Sequence, residues 1–319
     1  MKKCVFIIFL IWSFLAQDGS WAFDNNKENY DRDKKEWIRY TKENVNNGIL
    51  KGGHDTITSE AVLLKKEVHR GDPDGGREFR RWADEQALPQ FRSGVHDEDT
   101  NRWLNFLLND PPIEKDGWGN FTHHFYNPDT GKGLRWIWGA RPATERARDY
   151  IREIRRIQNC RAWGDLSDRE RRRIEYLFGR TLHLIQDMGN PSHVKDDIHV
   201  FTKPFEDYVR NHWDKVIGLE GFQRKVNVEA YRRGGYESIG GYGDPDEYIR
   251  SLAATSQGYP SEEELMDVVV DRETGEMKRV VNEERLRRNV EDLIPEAVLF
   301  SAGYIDRVYR EMVGGVGQR

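Results

Sequence analysis

The segment HLIQDMGNPSH, residues 183–193, concentrates side chains that are able to bind a metal ion. His183 and Asp187 are four residues apart, so a helix would project both side chains from one face. Pro191 disrupts a helix, which lets His193 approach from a different direction. Because a metal ion needs ligands that converge from several directions, the segment indicates either a metal site or a buried helix end with a capping aspartate.

Other segments carry further histidines and carboxylates. GGHDTITSEA places His54 at the start of a predicted helix, and GVHDEDT groups the acidic residues 97–99. NFTHHFYNPDTG contains two adjacent histidines, 123–124, in a predicted loop. HVFTKPFEDYV places His199 just before a helix whose first turn contains Glu206, because proline is common at the first helical position. The recurrence of these residue types favours a metal site.

The elements that must position these residues are predicted to be mostly helices. Apolar residues recur at helical spacing, and the predicted helices cover residues 26–48, 56–70, 143–163, 167–188 and 282–313. Residues 109–133 are rich in proline, glycine, asparagine and aspartate and are predicted to be a long loop, and residues 232–248 are also predicted to be a loop. Two valine-rich arms around Thr-Gly predict one short β-hairpin at 266–281. We expect one all-α domain over residues 23–319, with long loops and a charged helical insertion at about 27–50.

The composition suits a globular protein, and the N-terminus is typical of an export signal. The 319 residues carry a formal net charge of −5, which does not indicate a strong nucleic-acid-binding surface. Lys2 and Lys3 precede an apolar run that is too short to span a bilayer comfortably, and cleavage is predicted after Ser20 or Ala22. We therefore expect residues 1–22 to be a signal peptide and the protein to be secreted or periplasmic. Its removal would leave a single cysteine, Cys160, and no internal disulfide.

Four motifs together resemble the zinc-dependent phospholipase C / P1 nuclease family. GRTLHLIQDMGNPSH resembles its central His-x3-Asp-x5-His motif, and GVHDEDT is similar to its Gly-x4-Asp segment. FTHHFYNPDTGK resembles its His-Phe-Tyr-x-Pro-Asp-x-Gly segment, and SAGYIDRVY resembles its terminal helix. The motifs occur in the family's order, and the similarity runs from about His54 to the C-terminus.

This resemblance implies a site for three Zn²⁺ ions, since imidazole and carboxylate ligands suit zinc. The implied side-chain ligands are His54, Asp99, His124, His183, Asp187, His193, His199 and Glu206. The family also uses the backbone of its mature N-terminal residue, which here is Trp21 or, after cleavage at Ala22, Phe23. His199 lies seven residues before Glu206 where the family has four, so a longer loop must place it.

The resemblance further implies phosphodiester hydrolysis by metal-activated water, in which Asp99 would orient or deprotonate the water. For a phospholipid head group, the positions corresponding to the family's choline-binding residues are Asp24 and Phe121. The leading hypothesis is a phospholipase C-like hydrolase that makes transient contact with a membrane surface. The first alternative is a P1-type single-strand nuclease, for which nucleic acid is the substrate. The second alternative is a zinc-binding protein without catalysis.

Overall fold

The computed structural model describes residues 29–31, 33–72, 75–98, 123–134, 141–195, 197, 203–271 and 275–313. Within these ranges most residues are helical. The helices are α1 Lys42–Asn46, α2 His54–Val68, α3 Gly75–Trp82, α4 Leu88–Glu98, α5 Ala143–Gln158, α6 Asp168–Asp187, α7 Pro191–Val194, α8 Pro204–Asn211, α9 Trp213–Gly218, α10 Glu220–Lys225, α11 Val228–Gly234, α12 Pro245–Ser256 and α13 Glu283–Val308.

Two small antiparallel sheets accompany the helices, so the all-α prediction is confirmed. Strands β1 Tyr30–Asp31 and β2 Glu36–Trp37 form the first sheet. Strands β3 Met266–Val270 and β4 Met277–Val281 form the second, with Met266 opposite Val281 and Val270 opposite Met277. The second sheet is the predicted hairpin, and its two strands begin and end where the valine-rich arms do.

Helices α4 and α6 pack at very short range because two glycines face each other. A Cβ added at Gly94 would lie 2.1 Å from the Tyr176 carbonyl oxygen, and one added at Gly179 would lie 2.4 Å from that of Phe91. Any side chain at either position would therefore separate the helices. This close approach brings the backbone of α4 against the part of α6 that contains His183.

The sequence sets both ends of α6. Ser167 and Glu170 form a capping box, in which the Ser167 hydroxyl accepts from the Glu170 backbone and the Glu170 carboxylate accepts from the Ser167 backbone. The helix ends at Asp187, and the Asn190 side chain then accepts from the Ser192 backbone N–H at 3.0 Å to begin α7. The predicted break at Pro191 is thus confirmed, and the chain direction changes between Asp187 and His193.

The predicted charged helix at about 27–50 is wrong over its described residues. The Asp31 side chain accepts backbone N–H groups of Asp33 and Lys34 at 3.1 and 3.0 Å, which closes a turn between β1 and β2. Between the strands and Gly48 the described residues form one α-helix, α1, which begins after the N-cap Thr41. Local hydrogen bonding and tertiary contacts override helix propensity here. Only the Asn-Asn-Gly stop is confirmed, with Gly48 in the left-handed conformation at φ +66°.

One continuous apolar core joins α2, α4, α5, α6, α12 and α13. At the end of the β3–β4 hairpin, Val281 packs against this core, whereas Val268 and Met277 are 63% and 78% exposed. Across the described ranges, no helix has both the length and the apolar character needed to cross a bilayer.

Candidate metal centre

The side chains of His183 and Asp187 lie on one face of α6, one turn apart, and both are fully buried. The Nδ1 atom of His183 lies 2.7 Å from the Val95 carbonyl oxygen of α4. A carbonyl only accepts, so Nδ1 carries the proton and donates, and the Nε2 lone pair is available as a ligand. That Nε2 atom is 3.3 Å from Asp187 Oδ2. The α4–α6 contact therefore selects the tautomer that a metal requires.

His54, the first residue of α2, reaches the same carboxylate from another direction. Its Nδ1 atom lies 2.8 Å from Gln186 Oε1. The Gln186 amide nitrogen donates to the hydroxyls of Thr58 and Ser301 at 2.9 and 3.1 Å, so Oε1 is the accepting end of that side chain. His54 Nδ1 therefore donates, and its Nε2 atom, 3.3 Å from Asp187 Oδ1, offers its lone pair.

A buried ion pair fixes the start of α2. The Asp55 carboxylate contacts Arg92 Nη2 at 2.7 Å and accepts from Asn29 Nδ2 at 3.1 Å. Arg92 also donates to the Ile38 carbonyl oxygen at 2.7 Å and stacks over Trp37. Segment 29–38 therefore folds back against α2 and α4, and it holds His54 in place through the neighbouring Asp55.

His124 comes from the irregular segment 123–134. Its Nδ1 atom lies 2.8 Å from Asp187 Oδ2 and 3.1 Å from His183 Nε2. The two oxygens of Asp187 therefore contact different imidazoles, because Oδ2 contacts His124 and His183 whereas Oδ1 contacts His54. Both oxygens of this carboxylate are therefore placed beside imidazole nitrogens.

His193 and Glu206 form a second group beside Asp187. The His193 Nδ1 atom lies 3.1 Å from the His124 carbonyl oxygen, to which it donates, so its Nε2 lone pair faces Glu206 Oε1 at 3.8 Å. Asn190 Nδ2 donates to the same Glu206 oxygen at 3.1 Å. Phe125 stacks on the His193 ring with a centroid distance of 4.7 Å. The α6–α7 break thus turns His193 towards the start of α8.

The electrostatics of the cluster keep Asp187 ionised. Burial raises the pKa of the Asp187 carboxyl, but the adjacent His183, His124 and His193 rings outweigh burial and hold the pKa well below its usual value. A buried carboxylate is costly unless positive charge and hydrogen bonds compensate it. Nitrogen and carboxylate donors in this number suit Zn²⁺, and the ligand atoms of His54, His183 and Asp187 lie within 4.8 Å of one another. The residues present therefore fit a metal ion.

The structure brings together the sequence-predicted ligands that fall within the described residues: His54, His124, His183, Asp187, His193 and Glu206. The remaining predicted site residues lie outside the described residues: Trp21, Phe23, Asp24, Asp99, Phe121 and His199. Glu98, which directly precedes Asp99, is buried and contacts Arg180, Arg146 and Tyr150. These contacts anchor the end of α4 against α5 and α6.

Sequence reasoning missed the groups that orient the ligand side chains. Gln186, Asn190 and the Val95 carbonyl group each hold a ligand side chain, and Gln186 and Asn190 are completely buried. Gln186 offered one signal, since it is a polar side chain between two predicted ligands on an apolar helix. The Val95 carbonyl offered none, because its role depends on the packing of α4 against α6.

Comparison with known proteins supports the fold. No family model and no curated protein sequence matches the chain. Among solved structures, the alpha toxin from Clostridium absonum matches with a TM-score of 0.53 and 15% identity, over 80% of this chain and 63% of the toxin chain. The alpha toxin of an avian strain of Clostridium perfringens matches with a TM-score of 0.50 and 14% identity, over 83% and 64%.

The chain spans less than two thirds of the length of either toxin chain, and the identities are low, so these matches concern the fold. The shared fold agrees with the motifs described above, which occur along the part of the chain from His54 onwards. The protein has the fold of the clostridial alpha toxins, and this agrees with the resemblance of its motifs to the zinc-dependent phospholipase C / P1 nuclease family.

Proposed function

We propose that this protein is a secreted zinc-dependent phosphodiester hydrolase of the phospholipase C-like type. The observation that carries the proposal is the Asp187 carboxylate, whose Oδ2 atom lies 2.8 Å from His124 and 3.3 Å from His183, while its Oδ1 atom lies 3.3 Å from His54. A capping aspartate at a helix end would not need three histidines from three different segments. Two adjacent metal ions that share this carboxylate would use all three histidines as further ligands.

Three Zn²⁺ ions would be held by the residues of this cluster together with predicted ligands outside the described ranges. Asp99, His124, His183 and Asp187 would bind the first ion. Asp187 would bridge to the second, which His54 and the mature N-terminal residue, Trp21 or Phe23, complete. His193, His199 and Glu206 would bind the third ion.

Bound zinc would supply a water of lowered pKa and positive charge opposite a phosphodiester. The chain's own part is to fix the donors and to exclude bulk water from them. His54, His183, Asp187 and His193 are completely buried, and each ring is oriented by a hydrogen bond through Nδ1. Asp99 would orient the attacking water or accept its proton.

The substrate proposed is a phospholipid, for which Asp24 and Phe121 would contact a quaternary ammonium head group. A membrane contact would then accompany catalysis. The β3–β4 hairpin offers a surface for this contact, because Val268, Val270 and Met277 lie on one face of the ribbon and are exposed. Asp271 and Glu276 lie at the turn end of the ribbon, so the hairpin would lie along a membrane rather than enter it with the turn first.

Direct comparison of two substrates tests this function. We expect the zinc-loaded protein to hydrolyse phosphatidylcholine vesicles faster than single-stranded DNA and to co-sediment with the vesicles. Faster hydrolysis of DNA would instead support the P1-type nuclease alternative. Bound zinc without hydrolysis of either substrate would support the non-catalytic alternative.

Export is part of the proposal because the predicted N-terminal zinc ligand exists only after cleavage. We expect N-terminal sequencing of the exported protein to begin at Trp21 or Phe23. An intact Met1 in membrane fractions would contradict both the export and the N-terminal ligand. That result would not contradict the proposed ligands in α2, α6 and α8.

A further inference from the structure

Glu262 is a buried carboxylate next to the candidate metal centre and lies outside the predicted ligand set. It occupies the connection between α12 and β3, and only 1% of its surface is exposed. Burial of an acidic side chain is unfavourable unless hydrogen bonds or opposite charge compensate it. The contacts of Glu262 therefore bear on its role.

The first contact is with the helix that carries Glu206. The Glu262 carboxylate oxygen Oε1 accepts a hydrogen bond from the Glu206 backbone N–H at 3.4 Å. Glu206 is the third residue of α8, and the first four N–H groups of a helix have no partner within it. The N-cap residue Lys203 makes no side-chain capping bond, so Glu262 provides this capping contact from a distant part of the chain.

The second contact is with the helix that carries His193. The Glu262 backbone N–H donates to the Ser192 hydroxyl at 2.9 Å, and Ser192 directly precedes His193. The Ser192 hydroxyl in turn donates to Asp197 at 3.3 Å, and that carboxylate accepts the Glu263 backbone N–H at 3.1 Å. Three linked hydrogen bonds therefore fix the segment around Glu262 on Ser192 of α7 and on Asp197, which follows α7.

We propose that Glu262 is a positioning residue that holds His193 and Glu206 in register for their shared metal ion. The Glu262 side chain contacts the backbone of Glu206, and the Glu262 backbone contacts Ser192, which is next to His193. The two ligand atoms, His193 Nε2 and Glu206 Oε1, lie 3.8 Å apart, a separation that small relative movements of α7 and α8 would change. This inference rests on the proposed function, because it presupposes that the two residues bind a metal.

Two substitutions of Glu262 distinguish a role in positioning the ligands from direct binding of the metal by the Glu262 carboxylate. Glu262→Gln keeps an oxygen that accepts the Glu206 N–H, whereas Glu262→Ala removes it. We expect Glu262→Ala to weaken binding of one zinc ion by on the order of 10–100-fold, as loss of supporting contacts to metal ligands does. We expect Glu262→Gln to bind zinc as the unsubstituted protein does. Competition with a chromophoric chelator measures the affinity, and mass spectrometry of the native protein measures the zinc content.

The control is Glu263→Ala, which removes a neighbouring exposed carboxylate, and the melting temperatures of all metal-free variants are compared. If Glu262→Ala does not fold, Ser192→Ala removes the other contact and is expected to weaken the same ion. Equal affinities for all variants would overturn the inference, and so would an equal loss in Glu262→Gln and Glu262→Ala, which would indicate direct ligation. Absence of zinc from the unsubstituted protein would instead contradict the proposed function.

Discussion

Replacement of Asp187 by asparagine is expected to remove about one zinc ion or more per chain, with hydrolysis falling by on the order of 10–100-fold or more. The substitution keeps the shape of the side chain and removes its charge. Two adjacent dications would then share a neutral amide in place of a carboxylate, and their mutual repulsion would be less compensated. Zinc content by mass spectrometry and hydrolysis of the better phosphodiester substrate are the measurements.

The matched control is Asp214→Asn, which makes the same chemical change on the exposed surface of α9. His183→Asn provides a reference for the loss of a single ligand. Full zinc content and full activity in Asp187→Asn, together with loss of both in His183→Asn, would show that Asp187 is a hydrogen-bond acceptor at the helix end and not a bridge.

Removal of zinc by a chelator is expected to lower the melting temperature by on the order of 10 °C. A ligand present at about 1,000 times its dissociation constant adds ~4 kcal/mol to the free energy of unfolding, and ~1 kcal/mol corresponds to about 2–4 °C in a domain of 150–250 residues. The ligands come from α2, α6, α7, α8 and segment 123–134, so one metal cluster would tie distant parts of the chain together. Cys160 is an unpaired exposed thiol, so it provides no covalent stabilisation.

Differential scanning calorimetry before and after chelation measures this effect. The same treatment of Asp187→Asn should produce a smaller shift, because that variant has less zinc to lose. An unchanged melting temperature in protein shown to be metal-free would mean that the fold does not depend on zinc.

Local sequence determined the element that carries the central motif. The Ser167–Glu170 capping box begins α6, Asn190 and Pro191 begin α7, and the four-residue spacing puts His183 and Asp187 on one face. The pairing of β3 with β4 was also predicted from the sequence, because two valine-rich arms that lie close together in the chain favour adjacent strands. These features follow from hydrogen bonds and steric preferences between near neighbours.

Tertiary contacts decided the orientation of the histidines and the conformation of segment 29–38, which local sequence patterns do not indicate. His54 receives its orientation from Gln186, which is 132 residues away, and His183 receives its orientation from Val95, which is 88 residues away. Segment 29–38 has the charge pattern of a helix and yet forms a hairpin, because Arg92 binds its backbone and Asp31 closes a turn. The hydrogen bonds made by Gln186, the Val95 carbonyl group and Arg92 join groups far apart in the chain, so their energy appears only when packing has brought those segments together.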